Sequence, residues 1–383
     1  MPSRRQVLQG ILSSLGWLSL VGVGGCGSRD TNPLITCLRQ ALPSSLLKEW
    51  RQQEIFSFTL QLLDNRLQLF EQLQASASPS PQPWWDPLGW FQTPPTPAMV
   101  SLLGADWLDQ AIAQALIAPL TPADVGQFWA SLPPIWQQVV QRSASSPEKQ
   151  APQIWGVPWR WGSTAIVYHR QRLKTPIVDW ADLWRPELRG KLTLPDHPRE
   201  VIGLTLKKMG RSYQDPISLA DGELNRQLAQ LHQQVLTYTS SDYLPILRLE
   251  DSWVAVGWTE DLYQTQKNYP ELEVVIPASG SAIWWDVWVL PRVSQNAPTR
   301  ADLARWFDWV LDPTHTARMV NLSQIANVQA VEASQLSPSL AQRPDLSRGI
   351  PSGSEIWQPL SPEQADVYLT LWQRMRSGEL LPR

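Results

Sequence analysis

The sequence predicts a layered α/β architecture in two lobes with a cleft between them. Its 383 residues are more than one compact core accommodates and suit two lobes of roughly 100–200 residues each. Along most of the chain, short apolar runs alternate with amphipathic helical patterns, as in layered α/β lobes. Apolar content of 43% and charged content of 17% are ordinary for a globular chain, so neither wholesale disorder nor a multi-span membrane protein is indicated.

Residues 1–25 have the layout of a secretory signal: Ser3, Arg4 and Arg5 at the start, an apolar stretch over 11–23, and the small-residue end Val23-Gly24-Gly25-Cys26. The apolar stretch is shorter than the ~20 residues a spanning helix needs, so cleavage before Cys26 is expected. A cysteine at that point resembles the bacterial lipobox. Cys26 is then the lipidation site, residues 26–35 form a tether, and the mature chain is periplasmic and held to the membrane by lipid. Ser3-Arg4-Arg5-Gln6-Val7-Leu8 also resembles a twin-arginine export signal, with Val7 where Phe is usual.

Further along, a helix is expected from residue 44 to 53, leading into Phe56-Ser57-Phe58-Thr59-Leu60-Gln61-Leu62, which alternates like a half-buried strand. Residues 76–97 are rich in Ser and Pro with Trp84, Trp85 and Trp90 embedded, a loop with anchoring aromatics. The apolar run 99–103, then Asp106, Trp107, Leu108, Ile112 and Leu116 at helical spacing, predicts a strand-to-helix junction of the kind that faces ligand. Polar residues 143–153 read as a surface loop, and a lobe boundary is placed just beyond it. Strands are expected at 192–194, 253–258, 272–276 and 284–290, the last closed by Pro291. Asp196 is a candidate N-cap for a helix over 200–209 that stops at Gly210. Leu303, Trp306, Phe307, Val310 and Leu311 mark one more amphipathic helix.

Formal net charge is −3, and Arg4 and Arg5 are the only charges before Cys26, so the mature chain stands at −5. With no Lys/Arg run interleaved with aromatics, the footprint of a nucleic-acid binder is missing, while cationic ligands suit the balance. Cys26 and Cys37 cannot make a disulfide framework. The 22 Trp against 7 Tyr and 6 Phe exceed generic core filling, and indole faces are good platforms for cations and sugars. His169, His197, His232 and His315 lie far apart without metal-ligand spacing, so no metal site is expected. The chain shows no GxSxG, no GxxxxGK[ST], and no GxGxxG after a strand. An enzyme is therefore not expected, and neither is a cofactor.

At Val157-Pro158-Trp159-Arg160-Trp161-Gly162-Ser163-Thr164-Ala165-Ile166 the chain begins to resemble the spermidine/putrescine-binding proteins of bacterial ABC importers. Trp180-Ala181-Asp182-Leu183-Trp184-Arg185-Pro186-Glu187-Leu188-Arg189-Gly190-Lys191-Leu192 is similar to that family's WADLWxPxxxGxL segment, and it leads into Asp196-His197-Pro198-Arg199-Glu200-Val201. Trp284-Trp285-Asp286 resembles the family's ligand-binding WxD strand, and Trp357-Gln358 a pair near its C-terminus. The resemblance implies a type II periplasmic-binding-protein fold: two α/β lobes joined by a hinge, closing over a solute. Lobe 1 is then formed by 36–155 with 286–383, and lobe 2 by 156–285. It further implies a monomer that captures a polyamine and delivers it to ABC permease subunits.

Matched position by position, the resemblance makes Asp286, Trp284, Trp258, Glu200 and Gln358 ligand contacts, with Asp106 and Trp107 matching approximately. Where the family has an acidic residue this chain has His197, and the adjacent Asp196 is its candidate stand-in. Carboxylates would pair with ammonium groups while Trp faces pack the methylenes between them. Each residue has a plainer reading. Asp286 could pair with a nearby Arg, Glu200 could complement its helix N-terminus, and Trp258 and Trp284 could be core. Three alternatives make different demands on the cleft. A sugar binder needs a neutral, amide-rich cleft, and a binder of a 4-aminobutyrate-like solute needs one with a single acidic end. A degenerate structural lipoprotein would have its cleft blocked by side chains.

Overall fold

The computed structural model describes residues 32–52, 57–77, 98–142, 152–292 and 300–380. The expected leader, Cys26, most of the expected tether, and most of the loops expected at 76–97 and 143–153 lie outside the described residues.

A single sheet path carries the fold. Its strands are β1 (Leu34–Leu38), β2 (Thr59–Leu63), β3 (Val100–Gly104), β4 (Val157–His169), β5 (Leu192–Leu194), β6 (Val235–Tyr238), β7 (Val254–Trp258), β8 (Leu272–Val275) and β9 (Ala282–Pro291), in the order β2-β1-β3-β9-β4-β7-β5-β6 with β8 also on β4. β1, β2 and β3 run parallel, and β9 is antiparallel to both β3 and β4. The long strands β4 and β9 belong to both halves of the sheet. All thirteen residues of β4 are buried, and its alternation feeds different cores. Trp159 and Trp161 enter a first cluster, Ile166 and Tyr168 a second, Ala165 and Val167 a third.

The first cluster joins β1, β3 and the start of β4 to helices α1 (Ser44–Gln52), α2 (Arg66–Ala77) and α6 (Arg300–Leu311). Trp50, Trp288, Trp306 and Trp309 meet there edge-on or tilted at centroid distances of 4.8–5.7 Å. Such contacts contribute roughly 0.5–1.5 kcal/mol each beyond area burial. Much of the unusual tryptophan content is therefore core, not ligand platform.

The second cluster joins β5 and β7 to α3 (Pro198–Lys208) and α4 (Gly222–His232). Tyr368, Leu371, Trp372 and Met375 of the last helix, α7 (Pro362–Arg376), bury their stripe in it too. This stripe, spaced i, i+3, i+4, i+7, meets α3 and α4. The helix α5 (Thr259–Gln266) lies in the third cluster through Leu262.

The N-cap of α3 is His197, not Asp196. Pro198 takes the first helical position, which fixes the cap one residue before it, and His197 Nδ1 accepts from the Glu200 backbone N–H at 3.3 Å. Asp196 instead pairs with Arg376 at 2.6 Å. No helix among the described residues is long and apolar enough to cross a membrane.

Candidate functional site

A cavity of about 1100 Å³ opens where the ends of β3 and β9 meet the start of α3 and the segment before α7. Placement follows from topology. Ligand sites in α/β sheets form beyond the carboxyl ends of parallel strands, and Asp106 stands two residues past the end of β3. Trp284 and Trp285 of β9 form one wall, while His197, Arg199, Trp357 and Gln358 form another.

Three carboxylates line this cavity. Asp109 is paired with Arg142 at 2.6 Å and Glu355 with Lys207 at 2.8 Å. Asp106 is exposed and makes no ion pair among the described residues. Opposite in sign is Arg199, whose guanidinium stacks 4.8 Å over Trp357 and donates to the Gln358 carbonyl, with Nε left without a partner. The His197 ring stacks on Trp357 at 5.5 Å. Burial pushes the His197 imidazole below its usual range, with Asp106 pulling the other way, and burial likewise lowers Arg199. The open cavity thus holds one free carboxylate, one guanidinium free of any carboxylate partner, and indole faces.

Of the residues matched to ligand contacts in the sequence, Asp106, Trp284 and Gln358 come together on the cavity wall, joined by His197; Trp107, Asp196, Glu200, Trp258 and Asp286 do not. Trp107 stacks on Phe70 at 4.6 Å against the first core, and Trp258 packs edge-on to Tyr243. Asp196 faces Arg376. Glu200 is 3% exposed, accepts from Thr164 Oγ1 at 2.8 Å, and keeps Oε2 buried without a partner. Burial pushes its carboxyl up to about 8.

Asp286 departs most from expectation, because it is fully buried and already satisfied. Arg66 Nε and Nη2 donate to its two oxygens at 2.7 and 3.2 Å, and Arg160 Nε donates at 2.7 Å. Arg160 also reaches Glu260 at 3.1 Å, and Arg66 approaches Glu260 at 3.6 Å while lying 4.6 Å over the Trp284 ring. Burial alone would raise the Asp286 carboxyl, but the Arg66 and Arg160 guanidiniums hold it below its usual range. The plainer reading, a carboxylate paired with Arg, describes this arrangement. Trp284 fits beside it because Gly162 sits directly across on β4: a Cβ there would overlap the indole and stand 2.7 Å from Thr259 Oγ1.

Sequence reasoning passed over Arg66, Arg160, Arg199 and Trp357's part as a stacking platform. Arg66 had one available signal. It follows Asp64-Asn65 at the carboxyl end of a parallel strand, the edge where charged side chains meet ligands.

Comparison with known proteins bears on the family and the fold. The spermidine/putrescine-binding periplasmic protein of Salmonella typhimurium is 26% identical over 231 residues, 58% of this chain and 64% of that protein. This chain therefore spans somewhat under two thirds of that curated relative's length. Among solved structures, the spermidine/putrescine ABC transporter substrate-binding protein PotD of Streptococcus pneumoniae superposes with TM-score 0.75 at 15% identity, covering 91% of this chain and 99% of that one. The Atu4243 GABA receptor superposes with TM-score 0.60 at 13% identity, covering 92% and 98%. The fold is accordingly the two-lobed α/β fold of these binding proteins. A family model for bacterial extracellular solute-binding proteins matches residues 95–346, which take in the cavity walls from Asp106 to Trp285, and the chain belongs to that family.

Proposed function

We propose that this protein captures a small amine-bearing solute in the cleft outside the cytoplasmic membrane and hands it to the permease of an ABC importer. The observation that carries this reading is Asp106, an unpaired carboxylate on the wall of a cavity whose lining includes Trp284, Trp285 and Trp357. A carboxylate against indole faces attracts an ammonium twice over, by ion pairing and by cation–π contact worth about 0.5–2 kcal/mol. The cavity is of a size suited to a small solute. Lipid anchoring through Cys26 and action as a monomer belong to the same reading, as does a division into lobes close to 36–155 with 286–361 and 156–285 with the last helix.

The first solute to test is a polyamine, which the sequence motifs and the similarity to spermidine/putrescine-binding periplasmic proteins favour. A second reading, a solute with one ammonium and one carboxylate, is favoured by Arg199. Its guanidinium shares the cavity with Asp106, so the lining offers one carboxylate and one guanidinium that are not paired with each other.

Titration of the protein with spermidine, putrescine and 4-aminobutyrate, with maltose as control, followed by intrinsic tryptophan fluorescence, tests this function. A saturable response to an amine-bearing solute is expected. A response to maltose alone, or to nothing, contradicts it.

A further inference from the structure

Beside the cavity, Arg66, Arg160, Glu260 and Asp286 form an ion-paired cluster of two guanidiniums and two carboxylates. We propose that Arg66 is a tethered cation filling an ammonium position between Trp284, Asp286 and Glu260, and thereby a specificity-determining residue that reduces by one the positive charges the cleft accepts. The inference rests on the solute-capture reading and names its consequence for the ligand.

Three observations carry it. The niche around the Arg66 guanidinium is built as a receptor for a cation, with an indole face 4.6 Å from its carbon, Asp286 at 2.7 Å and Glu260 at 3.6 Å. These contacts also span separate packing units, as a solute in the cleft would. α2 buries Leu69, Phe70 and Leu73 in the first core, Glu260 opens α5, whose Leu262 lies in the third, and Asp286 and Arg160 stand on the crossing strands. Finally, Arg66 is the member of the four nearest solvent, its side chain 31% exposed against 13% for Glu260, 4% for Arg160 and 0% for Asp286. The indole it covers, Trp284, is one of those that wall the cavity.

The charge count gives the consequence. With Arg66 in place the four ion-paired groups carry no surplus negative charge, and Asp106 is the cavity carboxylate without an ion pair among the described residues. Without the Arg66 guanidinium, Arg160 faces two carboxylates, and one negative charge with a vacated indole face remains beside the cavity wall.

The test compares wild type, Arg66→Ala and Arg66→Lys by calorimetric titration with 1,4-diaminobutane and with butylamine. Thermal melts of each are recorded with and without methylguanidinium. Arg66→Ala should bind the diamine at least tenfold tighter than wild type, Arg66→Lys should stay within about threefold of wild type, and butylamine, with one ammonium, should gain less than the diamine. Methylguanidinium should raise the melting temperature of Arg66→Ala alone. A folded Arg66→Ala that binds the diamine no tighter than wild type, and gains no stability from methylguanidinium, overturns the inference. If Arg66→Ala does not fold unaided, restoration by methylguanidinium supports the cation niche and its failure overturns it. If no variant takes up any solute while methylguanidinium still rescues, the capture reading fails and the niche assignment stands.

Discussion

Asp286 and Arg160 stand opposite each other on neighbouring antiparallel strands, joined at 2.7 Å with neither side chain more than 4% exposed. A β-bulge follows directly between Asp286 and Val287, so the paired carboxylate sits where the ladder changes register. Because Arg66 completes the pair from α2, one buried carboxylate ties together two crossing strands and a helix.

Replacing that carboxylate tests its structural weight. Asp286→Asn leaves two guanidiniums with only Glu260 between them and should cost about 3–5 kcal/mol, read as a shift in urea midpoint. A loss below about 1 kcal/mol would mean the guanidiniums find water or other partners. The sign of the pH dependence follows from the lowered Asp286 carboxyl. Its folded pKa lies below the unfolded value near 3.9, so its stabilisation is present above that pH and is lost as pH falls through the folded value.

Glu200 should behave in the opposite sense. With a folded pKa of about 8 against roughly 4.3 unfolded, it releases its proton on unfolding across that window. Its contribution is present in full below about pH 4 and is lost as pH rises towards 8. Glu200→Gln keeps the contact with Thr164 and removes the titration. It should raise the melting temperature by several degrees at pH 8 and change it little at pH 5. Equal shifts at both pH values would show that Glu200 is ionised in the fold.

These pairs mark what the sequence could and could not disclose. The strand at Leu192–Leu194 and the helix Ser44–Gln52 follow from local pattern, because alternation and helical spacing are short-range signals. The cap of α3 was displaced by one residue because Pro198, not the more familiar capping type of Asp196, fixes where the helix begins. The cation partners of Asp286 were not legible. Arg66 is 220 positions away and Arg160 is 126 positions away, and nothing local to either announces an ion pair. Motif resemblance identified Trp284 and Asp286 as neighbours but carried no information about which cation occupies the space between them.

Gly162 gives a steric prediction. Gly162→Ala places a methyl group where the Trp284 indole lies and should displace the ring. Overpacking of this kind costs roughly 1–3 kcal/mol. Both a lower melting temperature and a shifted tryptophan emission are expected. An unshifted emission at unchanged stability would mean that the ring moves without consequence.

Trp357 is the platform for Arg199 and His197 at once. Trp357→Ala should weaken solute binding by roughly 2- to 30-fold, the range of one cation–π contact, while changing stability by less than about 1 kcal/mol. Loss of stability without loss of affinity would reassign the residue to packing.

Asp106 bears most directly on solute capture. Calorimetric titration of wild type and Asp106→Asn with putrescine, spermidine and 4-aminobutyrate should show saturable uptake of an amine-bearing solute by wild type. That uptake should weaken at least tenfold in Asp106→Asn at unchanged melting temperature. Undiminished binding in Asp106→Asn would contradict the proposed site.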